Sequence, residues 1–234
     1  MRSPTATDVA LLYSAHEEKH GFKGMLGSID CMHWEWKNCP VAYKGQYTRG
    51  DHKKPTIMLD GVASYDLWIW HAFFGMAGSN NDINVLIQSP IFDALNKGTA
   101  PSAPFEVNGN EYTNTKGYYL ADGIYPDWVT LIKGMSCPTD EPRIKFTRFQ
   151  ASARKDKERA FGVLQGLFYI LSLAAQTMKI RLGMVLLFQL ANSSPNGQVL
   201  EAALKPTGVD GICSPCLAPC PSPSSWLSLL FISM

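Results

Sequence analysis

Met25-Leu26-Gly27-Ser28-Ile29-Asp30 is a short apolar run that ends in a carboxylate, and Gly117-Tyr118-Tyr119-Leu120-Ala121-Asp122 repeats the device downstream. Each reads as a strand that delivers its last residue, an aspartate, to the end of a sheet. Between them, PTIMLDGVAS (residues 55–64) and WIWHAFFGMA (residues 68–77) are rich in β-branched and aromatic residues. The intervening Tyr65-Asp66-Leu67 is turn-like, so the pair predicts a hairpin. Three consecutive strands followed by alternating elements predict an α/β fold built on a mixed sheet with flanking helices, not a purely parallel one.

Outward from these strands, Gly78 to Asp82 form a loop holding several helix-capping residues. Ile83, Leu86 and Ile87, then Phe92 and Leu95, fit an amphipathic helix interrupted at Pro90. Asn108-Gly109 is a hairpin turn signal. The strongest helix spans residues 149–168, with Phe161, Leu164 and Phe168 on one apolar stripe and charge opposite. Residues 31–55 read as a loop rich in Trp, Cys and Lys. The chain divides into a lead-in (1–23, helical over 7–18), a main domain (24–166), an apolar helical segment (167–192) and an irregular Pro/Ser/Cys tail (193–234).

An apolar share of 46% in 234 residues supports a real core. The formal charge of +1 neither favours nor excludes nucleic acid. Its distribution says more: Arg143, Lys145, Arg148, Arg154, Lys155, Lys157 and Arg159 gather in one segment, the pattern of a solvated helix face or a phosphate-binding one. Cys31, Cys39 and Cys137 lack framework spacing, which suits a reducing compartment. Cys213, Cys216 and Cys220 include the spacing of half a zinc site, but no fourth ligand lies nearby and no second pair follows. The first fifteen residues carry no signal-peptide core. The apolar stretch 166–190 is interrupted by Gln176, Lys179, Arg181 and Gln189, which predicts a buried or interfacial helix and no membrane span.

Asp30 and Asp122 each follow an apolar strand, and Glu158 lies at the charged border of the strong helix, three residues before Phe161. If the strands are neighbours and the helix packs through Phe161, the three carboxylates converge. Convergent carboxylates repel one another unless a cation sits among them, and hard oxygen donors suit Mg²⁺ or Mn²⁺. Taken singly, an Asp at a strand end is more often a cap than a ligand. Asp82 reads as a helix cap, and Asp60, mid-strand, as a surface or hairpin-edge residue.

The strings GMLGSIDCMHWEWKNCP, GQYTRGDHKKPTIMLDGVASYDLWIWHAFFGMAGSNNDINVL, NGNEYTNTKGYYLADGIYPDW and ARKDKERAFGVLQ resemble consecutive blocks of the plant PIF/Harbinger transposase-derived nuclease family. The likeness runs from about Pro4 to Gln165. It implies an RNase H-like fold and a DDE active site. Asp30 matches the family's Asp in Ile-Asp-x-x-His, and Asp122 the one in Leu-Ala-Asp-Gly. Glu158 matches its Glu in Arg-x-x-x-Glu-x-x-Phe-Gly, with Arg154, Phe161 and Gly162 in register. Asp30, Asp122 and Glu158 would then be both the metal ligands and the catalytic residues, holding Mg²⁺ or Mn²⁺, two ions in all. The chemistry implied is attack of water or a DNA 3′-hydroxyl on a DNA phosphodiester. His33, Arg49, His52, Lys53, Lys54 and Arg154 are candidate phosphate or DNA contacts.

The resemblance also implies DNA and a separate Myb-like DNA-binding protein as partners, a nuclear location, and no membrane. Relatives carry a helical segment upstream of the first strand, so the chain reads as N-terminally truncated. After Gln165 it departs from the family, which predicts an incomplete C-terminal helical cover; a retained intron or a frameshift would explain residues 166–234. The alternatives to a nuclease are a catalytically silent chromatin-binding protein adopted by its host, and a decayed transposase fragment.

Overall fold

A computed structural model describes residues 3–50, 53–113 and 116–167. The segment 168–192, the tail 193–234 with its three cysteines, and the expectations about C-terminal cover lie outside the described residues. So do His52 and the Phe168 end of the predicted stripe.

Helix α1 (Ala6–His20) opens on a capping box, in which the Thr5 hydroxyl accepts from the Asp8 N–H and Asp8 bonds back to the Thr5 N–H. It ends at Gly21, whose φ of 75° is the left-handed conformation that closes helices. Its Val9, Leu12, Tyr13 and His16 are buried, and the helix packs on strand β1 (Met25–Glu35).

Strand β1 continues past Asp30 to Glu35, so the Trp/Cys/Lys segment predicted as loop begins as strand. It pairs antiparallel with β2 (Thr56–Ala63), which pairs antiparallel with β3 (Ile69–Ala77), the predicted hairpin. A short helix α2 (Val41–Tyr47) fills the connection between β1 and β2. After β3 come α3 (Asp82–Gln88), a 3-10 turn at Pro90–Phe92 and α4 (Asp93–Asn96), broken at Pro90 as expected. Asn81, not Asp82, is the N-cap of α3, its side chain accepting from the Asn84 N–H.

The Asn108-Gly109 turn joins β4 (Phe105–Val107) to β5 (Asn110–Tyr112) with φ of 51° and 78° at the two turn residues. Strand β6 (Tyr118–Ala121) runs parallel to β1, and β7 (Leu131–Lys133) parallel to β6. The main sheet therefore has the order β3-β2-β1-β6-β7, with a three-stranded antiparallel half and a parallel half. This mixed α/β arrangement with flanking helices is RNase H-like.

Helix α5 (Glu141–Leu167) starts eight residues before the expected position, because Pro142 sits in its first turn, where a missing N–H costs nothing. Phe146, Gln150, Ala153, Lys157, Ala160 and Phe161 are buried at helical spacing and lie against one face of the sheet, and Asp156, also buried, pairs with His20 of α1 at 2.6 Å. Ala160 and Phe161 pack with Trp34, Leu59, Ala63 and Ile69, while Phe146 and Ala153 pack with Met25, Tyr118 and Leu120. The opposite face buries Ile29, Val62, Ala121 and Leu131 with Leu86 of α3 and Tyr125. Among the described residues no helix is long and apolar enough to cross a membrane.

Candidate active site

Strands β1 and β6 are parallel neighbours, with Ser28 aligned to Leu120. Carried two residues on, that register sets Asp30 beside Asp122 on the face covered by α5. Asp30 is not at the end of its strand, as its sequence setting suggested; pairing with β2 continues for five more residues, through Glu35. What ends near Asp30 is the pairing with β6, and both carboxylates reach solvent there, 25% of the Asp30 and 56% of the Asp122 side chain being exposed.

Each aspartate meets a cation from α5. The Nζ of Lys157 lies 3.3 Å from Asp30 Oδ2, and an Arg154 guanidinium nitrogen lies 3.0 Å from Asp122 Oδ1. The spacing of three residues puts these two cations on adjoining turns of one helix flank. The remaining contacts are backbone: the Cys31 N–H donates to Asp30 Oδ1 at 2.9 Å, and the Gly123 N–H to Asp122 Oδ1 at 2.7 Å. Glu158, the third acid of the sequence reading, is on α5 one turn beyond Arg154, with its side chain exposed. Among the described residues, no three His, Cys, Asp or Glu side chains gather closely enough to hold a metal ion.

Two features of the local packing bring α5 this close. Gly61, the register partner of Asp30, has no side chain, and a Cβ there would lie 3.0 Å from the Phe161 ring. Gln150, buried within α5, donates to the carbonyls of Ala121 at 2.9 Å and Ile132 at 3.1 Å. It therefore clamps the helix to β6 and β7 immediately before Asp122.

Lys157 is the exception in a basic segment otherwise suited to a solvated face: only 2% of its side chain is exposed. Its Nζ also sits 4.1 Å from the centroid of the Phe161 ring, a cation–π contact. Burial pulls its pKa down, while Asp30 in first place, with Cys31 and Asp60, opposes that. Asp82 belongs to the same electrostatic neighbourhood. Its carboxyl is raised by burial and then by Asp30, with His33, Lys157 and Arg49 acting the other way.

Asp60 corrects the sequence reading. It is fully buried on β2, with Oδ1 3.9 Å from Cys31 Sγ and Oδ2 3.8 Å from His71 Nε2. Burial raises its pKa to about 6. Burial likewise lowers that of His71 to about 4, which keeps the imidazole neutral as it hydrogen-bonds Ser89 at 2.8 Å.

The other candidate contacts lie further along β1 and on the connection that leads into β2. His33 Nδ1 is 2.9 Å from the Thr56 hydroxyl, and its Nε2 is 3.3 Å from an Arg49 guanidinium nitrogen. Lys54 pairs with Glu35 at 2.9 Å on an exposed rim, and Lys53 beside it is exposed. The donor set suits a hard divalent cation in kind: two carboxylates on adjacent strands, facing the same way, at the limit of strand pairing.

A family model described as plant transposon protein matches residues 1–186 of the chain, so the likeness continues past Gln165, where the sequence reading had it stop. No curated protein and no solved structure matches it.

Proposed function

The chain belongs to the plant transposon protein family, and from that premise we propose that it is a Harbinger-type, divalent-metal-dependent nuclease acting on DNA phosphodiesters. The observation that carries this reading is the placement of Asp30 and Asp122 at matching register on adjacent parallel strands, both on the α5 face. Two carboxylates at that spacing repel one another unless compensating positive charge holds them together.

In this reading Asp30 and Asp122 hold the metal, Mg²⁺ or Mn²⁺, and Glu158, exposed on α5, would join them only by turning in from the helix flank. When bound, such an ion activates water and stabilises charge on the phosphodiester oxygens. The protein's own part is orientation. Gly61 and Gln150 fix the distance from helix to sheet, and the strand backbone fixes the two aspartates. Arg49, His33, Lys53 and Lys54 supply positive or hydrogen-bonding groups for phosphates flanking the scissile one. A nuclear location and a Myb-like DNA-binding partner go with this reading.

A second reading has its own support. Both aspartates are already neutralised by α5, as expected of a silent, host-adopted DNA- or chromatin-binding protein. One experiment separates the two. Purified protein is incubated with supercoiled DNA and millimolar Mn²⁺, beside Asp30→Asn and Asp122→Asn variants with unchanged circular dichroism. Nicking by the parent that both variants lose supports the nuclease. DNA binding without nicking by any of the three supports the silent protein.

A further inference from the structure

We propose that Lys157, seconded by Arg154, is an intramolecular cation that competes with a divalent metal ion for Asp30 and Asp122. Metal loading is then conditional on displacing an α5 side chain. The inference rests on the nuclease reading of the two aspartates and concerns how that site is controlled.

The geometry of Asp30 sets the competition. One carboxylate oxygen takes the Cys31 N–H, and the other takes Lys157 at 3.3 Å. The metal-accessible oxygen is therefore the one the ammonium occupies. Lys157 has no ready alternative, since 98% of its side chain is buried, its Nζ lies over the Phe161 ring, and Asp30 is the carboxylate it contacts. A divalent ion on Asp30 would remove this counter-charge and bring two positive charges against a buried ammonium, which costs far more than in water. Both cannot stay: either the ion is kept out or Lys157 swings from under Phe161.

Arg154 repeats the contest in weaker form. It contacts Asp122 Oδ1, the oxygen that also takes the Gly123 N–H. However, Asp122 is 56% exposed, so solvent screens this pair and the arginine yields more readily than Lys157. The order of displacement follows: Asp122 is the first carboxylate freed, and Asp30 the one that limits loading. A DNA phosphate gives the released guanidinium and ammonium a new anion to face, so substrate and metal load cooperatively.

The test is a calorimetric titration of Mn²⁺ into the full chain and into Lys157→Met, Lys157→Arg and Asp30→Asn variants, each checked for folding by circular dichroism. Methionine keeps the apolar stem against Phe161 and removes the charge. The expected result is at least tenfold tighter Mn²⁺ binding by Lys157→Met than by the parent, no gain in Lys157→Arg, and loss of binding in Asp30→Asn. Equal affinity in the parent and Lys157→Met, abolished by Asp30→Asn, would overturn the competition and leave the metal site standing. No Mn²⁺ binding to either folded protein would overturn both. If Lys157→Met does not fold, Lys157→Gln takes its place, because its amide removes the charge and keeps a hydrogen-bond donor toward Asp30. Tighter Mn²⁺ binding by that variant supports the proposal, and unchanged affinity rejects it.

Discussion

The ammonium of Lys157 lies 3.3 Å from the Asp30 carboxylate, with 2% of the lysine and 25% of the aspartate side chain exposed. This pair is the electrostatic joint between α5 and the central strand. Asp30→Asn would strand a buried ammonium, so stability should fall by about 2–4 kcal/mol, less than for a fully buried pair because Asp30 reaches solvent. Urea denaturation measures it. The double variant Asp30→Asn/Lys157→Met should recover part of the loss, and strictly additive effects would show that the pair is not coupled.

Gln150 tests the seat of α5 without touching an acid. Gln150→Leu keeps the bulk but leaves the Ala121 and Ile132 carbonyls without their donor. The expected cost is about 1–3 kcal/mol, with faster amide exchange in β7, the short edge strand whose pairing the glutamine supports. An exchange rate unchanged in β7 would mean the clamp is not structural.

Gly61 tests the distance between helix and sheet. A Cβ at this position already comes within 3.0 Å of the Phe161 ring, so the two methyls of Gly61→Val must push α5 outward. A loss of about 1–3 kcal/mol is expected from overpacking. Pairing it with Phe161→Leu, which shortens the ring that is struck, should give back part of that loss in thermal unfolding.

Several of these residues were legible in the sequence, and the misses have physical causes. The hairpin of β2 and β3 shows through its β-branched and aromatic content, and the Asn108-Gly109 turn through the positive φ both residues tolerate. β7, three residues long, and α2, seven, are too short for periodicity to register. Asp60 was misplaced because all eight residues of β2 are buried, so the strand has no alternation to say that an acid inside it faces the core. Lys157 was hidden by its charged neighbours, yet its position was readable. It falls three and four residues from Ala160 and Ala153 on the buried stripe, while Glu158, one residue on, falls on the exposed flank. The shared apolar lead-ins marked both aspartates as strand residues but left open whether their strands are neighbours, which the β1–β6 pairing decides, and no pattern in one strand could announce which cation would meet them.

His16 gives the fold a predictable response to acid. Its ring is fully buried on α1, beside the Leu26 backbone, and it faces His20, Lys19 and the edge of Tyr65. Burial, then the neighbouring cations, lowers its pKa to about 3. The unfolded chain binds the proton near pH 6.5 and the folded one does not, so the stabilisation is complete above about 6.5 and erodes as pH falls toward 3. The slope from this one group is about 1.4 kcal/mol per pH unit within that window. Asp60 works in the opposite sense: its raised pKa of about 6 favours the folded state as pH drops from 6 toward 4, and offsets part of the loss. Burial also lowers His20 and His71 to about 4, so urea unfolding at pH 7.5, 6.0 and 5.0 should show declining stability in the parent. In His16→Phe, which keeps a ring against Tyr65, the decline should be shallower between 6.5 and 5. An identical slope in both proteins would mean that His16 is not held neutral by the fold.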